Sequence, residues 1–164
     1  MTPCLVPVTS PLGQLEGGTN MVVIEGDAVE QIVLRGPGAG EGPTASAVMG
    51  DIMDIARGFR LPAFGCKASD LEPARAATAT TPAPWYIRMK LQDKPGALAK
   101  IAAALGDAGV SIDRMRQYGH EDPEAPVLIV THKCSPGDLD DALSRMAKTD
   151  VMIGAPVAIR IEDI

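Results

Sequence analysis

Trp85-Tyr86-Ile87-Arg88-Met89-Lys90-Leu91-Gln92-Asp93-Lys94-Pro95-Gly96-Ala97-Leu98 is the stretch on which the fold turns. Its first seven residues alternate in the two-residue period of a half-buried strand. Asp93-Lys94-Pro95-Gly96 then forms a turn, and Leu98, Ile101, Ala102 and Leu105 continue in the helical period as one apolar stripe. Gly106 and Gly109 break that helix, and Val110-Ser111-Ile112 opens a second strand that reaches Tyr118-Gly119. An acidic turn, His120-Glu121-Asp122-Pro123-Glu124, leads into Val127-Leu128-Ile129-Val130-Thr131. A helix is expected from Asp138 to Lys148, buried through Leu139, Ala142, Leu143 and Met146. Val151–Ile153 and Val157–Ile161 supply a last strand, bulged at Gly154-Ala155-Pro156. The order βαββαβ within one short segment predicts a ferredoxin-like α+β sandwich.

Upstream the pattern differs. Cys4-Leu5-Val6-Pro7-Val8 reads as a short strand. Asn20–Ile24 and Gln31–Arg35 flank Glu25-Gly26-Asp27-Ala28 as a β-hairpin. The run Gly36-Pro37-Gly38-Ala39-Gly40-Glu41-Gly42-Pro43-Thr44 precedes a helix marked by Ala45, Val48, Met49, Ile52 and Ile55, with Thr44 as its expected N-cap and Gly58 as its end. Met49, Met53 and Met146 are read as core residues. From Phe59 to Pro84, four prolines among alanines, threonines and glycines mark a linker. Three parts follow: a hairpin-and-helix segment at 1–58, the linker at 59–84, and the sandwich at 85–164.

The 164 residues are 46% hydrophobic, so a core is available, but only 3% aromatic, so that core is aliphatic. The net charge of −6 and the lack of a basic stripe exclude nucleic acid as a partner. Cys4, Cys66 and Cys134 stand far apart, and His120 and His132 lack ligand spacing, so neither a disulfide framework nor a metal site is expected. Without an apolar run of about 20 residues or a basic leader, the expectation is a cytoplasmic protein with no membrane span.

Two motifs carry chemistry. The glycine run lacks the lysine of a Walker loop, and Glu41 or Pro43 stands where a dinucleotide fingerprint needs its last glycine. It is therefore either a tight turn that starts a helix or a set of backbone donors facing a ligand. In Asp93-Lys94-Pro95-Gly96-Ala97-Leu98, the first-turn N–H groups of Gly96, Ala97 and Leu98 suit a carboxylate, and Asp93 suits an ammonium group. Asp93 equally suits the role of a plain helix cap.

Together these residues resemble homoserine dehydrogenase over nearly the whole chain. Cys4–Val8 with Pro11-Leu12 and Gly17-Gly18-Thr19-Asn20 resembles the end of that family's substrate and dimerisation domain. Gly36-Pro37-Gly38-Ala39-Gly40 with Pro43–Val48 and Asp51 resembles its closing signature. The resemblance implies that Gly38 and Gly40 lie on the side of an NAD(P) cofactor held mainly by the rest of the enzyme. Asp93-Lys94-Pro95-Gly96, Leu98 and Gly109-Val110-Ser111-Ile112 are similar to an ACT domain, which binds free amino acids. That implies an effector site at Asp93, Gly96, Ala97, Leu98 and Ser111, threonine as the feedback effector, and a homodimer. Many such domains carry asparagine where this chain has Ser111 or Asp93. The family's Rossmann fingerprint and catalytic residues have no match here, and the first lysine is Lys67. No catalytic residue is assigned, and the chain by itself is expected to be inactive and to bind no cofactor. The alternative is a stand-alone amino-acid sensor or dimerisation module.

Overall fold

The computed structural model describes residues 2–62, 64–74, 81–118 and 123–162. The expected acidic turn at 120–122, the strand end at 119 and the linker stretch at 75–80 lie outside the described residues. The chain divides into two compact units, residues 1–7 with 78–164, and residues 8–77.

The first unit is an α+β sandwich. Its strands are β1 (Cys4–Leu5), β4 (Trp85–Gln92), β5 (Ile112–Gln117), β6 (Glu124–Thr131) and β7 (Met152–Ile161), in the order β1-β7-β4-β6-β5. Helices α2 (Ala97–Asp107) and α3 (Pro136–Ala147) pack against each other over the sheet. The period-two reading of β4 holds. Ile87, Met89 and Leu91 are buried, while Arg88 and Lys90 are exposed. They join Ile101, Leu105, Val127, Ile129, Leu139, Ala142, Met146 and Val151 in one aliphatic core. Each fully buried Leu or Ile there contributes roughly 1.5–3 kcal/mol of transfer free energy. In α2 the buried set is Ala97, Ile101, Ala104 and Leu105; Ala102, expected in the stripe, is exposed.

The helix ends follow from local chemistry. After α2, Gly109 adopts φ 75° and donates to Gly106 O at 2.9 Å, while Val110 donates to Leu105 O at 2.9 Å. This Schellman closure brings buried Val110 against Leu105. Helix α3 starts two residues earlier than its apolar spacing indicates. Ser135 caps it by accepting from the Asp138 N–H at 3.1 Å, and Pro136 supplies the preset φ of a first turn. In β7 the pairing with β4 shifts register between Arg88 and Lys90, and Gly154 takes φ 72°, so the bulge falls where Gly154-Ala155-Pro156 places it.

Strand β1 falls within the strand expected at Cys4–Val8 but spans only Cys4–Leu5, and its partner is not indicated by the sequence pattern. Cys4 and Leu5 pair in parallel with Arg160 and Ile161, and Glu162 N–H donates to Leu5 O at 2.9 Å. The N-terminal strand therefore extends the sandwich sheet rather than the hairpin that follows it in sequence.

In the second unit, β2 (Thr19–Gly26) and β3 (Glu30–Pro37) form an antiparallel hairpin in which Asn20 faces Gly36 and Gly26 faces Glu30. Helix α1 (Glu41–Ala56) follows, and a short 3-10 turn spans Ala68–Asp70. The N-cap of α1 is Gly40, with no side-chain cap; Thr44 lies inside the helix and donates its N–H to Gly40 O. The expectation for Thr44 is corrected: glycine at φ 120° already turns the chain into the helix four residues earlier. Gly58 closes the helix through Gly58 N–H to Ile55 O and Phe59 N–H to Asp54 O. No residue of α1 is buried, and Val48, Met49, Ile52, Met53 and Ile55 are exposed. Met146 is core as expected; Met49 and Met53 are not, because helical spacing reports an apolar stripe but not what covers it.

Candidate functional site

The loop between β4 and α2 is tied down on both sides. Gln92 N–H donates to Val151 O at 2.8 Å, and Asp93 N–H donates to Pro123 O at 2.9 Å. Within the loop, Lys94 N–H donates to Gln92 O and Ala97 N–H to Lys94 O. Gly96 is the residue before the helix, at φ 82° with no atom within 4 Å of an added Cβ. Its glycine identity is therefore set by the backbone angle and not by crowding.

The loop exposes Asp93, Lys94, Pro95 and Gly96, half-buries Leu98 and buries Ala97. The Ala97 methyl is thus part of the core and its N–H is spoken for by Lys94. The first-turn donors that helix geometry leaves without an intrahelical acceptor are those of Leu98 and Ala99. Asp93 is not the cap of α2, which begins from Gly96 with no side-chain cap. Its exposed carboxylate stands beside those donors in sequence, and α2 carries no acidic residue in its first turn.

Asp150, on the loop between α3 and β7, was not among the expected site residues. It accepts from Lys100 Nζ at 2.6 Å and from Lys94 Nζ at 3.5 Å. The hydrogen bond from Lys100 holds its carboxyl below the usual carboxylate value. The signal that finds Asp150 is topological. The turn after α3 and the turn before α2 share one end of the sheet, as the Leu91–Met152 pairing requires.

Ser111 lies at the other end. Its carbonyl accepts from His132 N–H at 2.9 Å, and its neighbour Ile112 pairs with Thr131. Thr131 in turn accepts from the N–H of Trp85, the first residue of β4. Asp93, by contrast, follows Gln92, which pairs with Glu124. The eight residues of β4 separate the two levels, roughly 25 Å at the usual rise per strand residue. One copy of the chain therefore brings Asp93, Gly96, Ala97 and Leu98 together but leaves Ser111 apart. The βαβ order contains this result, since α2 returns the chain to the end from which β4 began.

In the second unit, a Cβ at Gly38 would overlap the side-chain amide of Asn20. The absence of a side chain at 38 is thus used by the hairpin itself. Gly40 takes φ 120° with Pro43 Cδ 3.6 Å from an added Cβ. Glu41 stands in the first turn of α1 and offsets the positive helix end, so that end favours a neutral polar group over a phosphate.

Among the described residues no group of His, Cys, Asp and Glu could hold a metal ion, and no helix is long and apolar enough to cross a membrane.

Comparison with known proteins places these two units. Residues 85–150 match the ACT domain family, and residues 1–53 match the homoserine dehydrogenase family. The chain is 35% identical over 168 residues to homoserine dehydrogenase of Mycobacterium leprae, covering 99% of the chain and 38% of that protein. It is 31% identical to homoserine dehydrogenase of Pseudomonas aeruginosa, covering 99% of the chain and 39% of that protein. A crystal structure of a homoserine dehydrogenase from Thiobacillus denitrificans superposes with a TM-score of 0.82 at 29% identity, over 99% of this chain and 38% of that one. The chain thus spans under two-fifths of the length of these relatives. It belongs to the homoserine dehydrogenase family, corresponds to the C-terminal part of those enzymes, and carries an ACT domain.

Proposed function

We propose that this chain is the regulatory part of an NAD(P)-dependent homoserine dehydrogenase, and that its ACT domain senses a free amino acid, threonine, for feedback inhibition. In that assignment residues 1–58 close the catalytic region, 59–84 link, and 85–164 regulate. The enzyme would interconvert aspartate semialdehyde and homoserine in the cytoplasm, toward threonine and methionine. The observation that carries the reading is the β4–α2 loop, where left-handed Gly96 opens a helix whose first-turn donors have no acidic side chain among them. Such an end accepts a carboxylate, and exposed Asp93 supplies the complementary charge for an ammonium group.

Ser111 supports a site made by two copies. Strand β5 is an edge of the sheet, and Asp113 to Gln117 are exposed along it. Antiparallel pairing of two such edges would bring Ser111 of one copy to the loop end of the other. The pairing sets Arg114 and Arg116 against their counterparts, which costs up to about 1 kcal/mol per facing like-charged pair. Asp113, 2.9 Å from Arg114, offsets part of that. Threonine would act by binding one arrangement of the two copies better than another.

The nicotinamide cofactor, when bound by the full enzyme, supplies the hydride acceptor. This chain's contribution there is Gly40 and the start of α1, whose charge balance suits the neutral carboxamide. Gly38 contributes by letting Asn20 pack beneath the turn.

Calorimetric titration of the chain with L-threonine, L-methionine, L-isoleucine and L-serine tests the reading. Saturable heat with threonine is expected. Absence of heat and of thermal stabilisation with all four would leave a dimerisation module instead.

A further inference from the structure

Resting on the amino-acid reading of this loop, we propose that Asp150 is a positioning residue: its carboxylate, bridging Lys94 and Lys100, clasps the effector loop and sets its readiness to bind. The three residues come from three places, the loop itself, the first turns of α2, and the turn between α3 and β7. Lys94 lies two residues before Gly96, and Lys100 four after it. Asp150 therefore spans the point where the chain enters α2, gripping it on both sides at 3.5 Å and 2.6 Å.

Asp150 is the fixed member of the set. Val151 beside it is fully buried and its carbonyl accepts from Gln92 N–H. Thr149 on the other side bonds through its hydroxyl to Met146 O and through its carbonyl to the Met152 N–H. A short, anchored carboxylate holding two long, flexible lysines orders the lysines rather than the reverse. All three side chains are exposed at 42–62%, so the clasp is open to salt and to competing anions.

The consequence is a loop whose order depends on ionic strength. Between roughly 0.01 M and 1 M salt the screening length falls from about 30 Å to about 3 Å, and the clasp loosens with it. Asp150→Asn keeps the size and removes the charge, while Asp150→Glu keeps the charge.

The test uses the full chain and two readouts. The first, without ligand, is amide hydrogen exchange at Gln92 and Ala97, whose N–H groups bond to Val151 O and Lys94 O. Asp150→Asn is expected to speed exchange at Ala97 at low salt and to abolish its salt dependence, with Asp150→Glu close to wild type. The second is calorimetric titration with L-threonine, where Asp150→Asn is expected to weaken binding roughly two- to fivefold at low salt and not at high salt. Unchanged exchange at Ala97 in Asp150→Asn overturns the clasp. Equal threonine affinity in the variant and wild type at low salt overturns its role in binding. Wild-type protein that binds no threonine while Ala97 exchange still responds overturns the amino-acid reading and leaves the clasp standing.

Discussion

Thr131 Oγ1 accepts the backbone N–H of Trp85 at 3.0 Å, joining the last residue of β6 to the first of β4. Thr131 is 1% exposed and is one of only two buried polar residues among those described. Thr131→Val keeps the shape and leaves the Trp85 N–H without this acceptor, so a loss of about 1–3 kcal/mol is expected. Trp85 is the sole tryptophan, so its fluorescence in a urea titration reports the ACT unit directly. A midpoint equal to wild type would show that the bond is replaced by water.

Gly96→Ala tests the left-handed entry to α2. With open space around the position, the cost is the backbone angle alone, about 1–2 kcal/mol. The same change is expected to weaken threonine binding by shifting the donors of Leu98 and Ala99. Fluorescence unfolding and calorimetry on the same samples separate the two effects.

Gly38→Ala tests the closing turn of the hairpin. The added methyl meets the Asn20 amide, and a loss of about 1–3 kcal/mol is expected. In the double variant with Asn20→Ala the two changes are expected not to add, because the obstruction is gone. Amide exchange along β2 and β3 measures this, and simple additivity would contradict the contact.

The three thiols are expected to react in order of exposure, Cys66 first, Cys4 next and Cys134 last. Burial pushes the Cys134 thiol above its ordinary value, with Asp138 adding to the rise and the Thr131 hydrogen bond opposing it. The folded chain holds that proton more tightly than the unfolded chain. Stability from this thiol is therefore present below the unfolded value near 8.5 and is lost as pH rises through it toward the folded one. Labelling kinetics with a thiol reagent at neutral and alkaline pH measure both effects. Early labelling of Cys134 in folded protein would contradict the buried assignment.

The ACT half was legible because its signals are local. Ile87, Met89 and Leu91 alternate with Arg88 and Lys90, Gly109 stops α2, and Gly154 marks the bulge. What escaped was long-range. Cys4 and Leu5 read as strand residues, but their partners, Arg160 and Ile161, lie far along the chain. The ACT resemblance groups Ser111 with Asp93 in one effector site, yet a helix running back across the sheet puts its two flanks at opposite ends within one copy. Thr44 resembled a cap because threonine favours that role, but Gly40 had already turned the chain. Asp150 has no motif at all; only the pairing of Leu91 with Met152 brings its turn to the effector loop.

In the proposed assembly the loop at Gly96 in one copy and Ser111 in another form one amino-acid site. L-Threonine titration of Gly96→Ala, Ser111→Ala and their equimolar mixture, after exchange of subunits, tests it most directly. Each variant alone is expected to bind weakly, because every site in its dimer carries one defect. In the mixture half of the dimers are mixed, and each mixed dimer holds one intact site. About a quarter of the wild-type sites should therefore return. A mixture that binds no more threonine than either variant alone, while wild type binds it, would contradict the shared site.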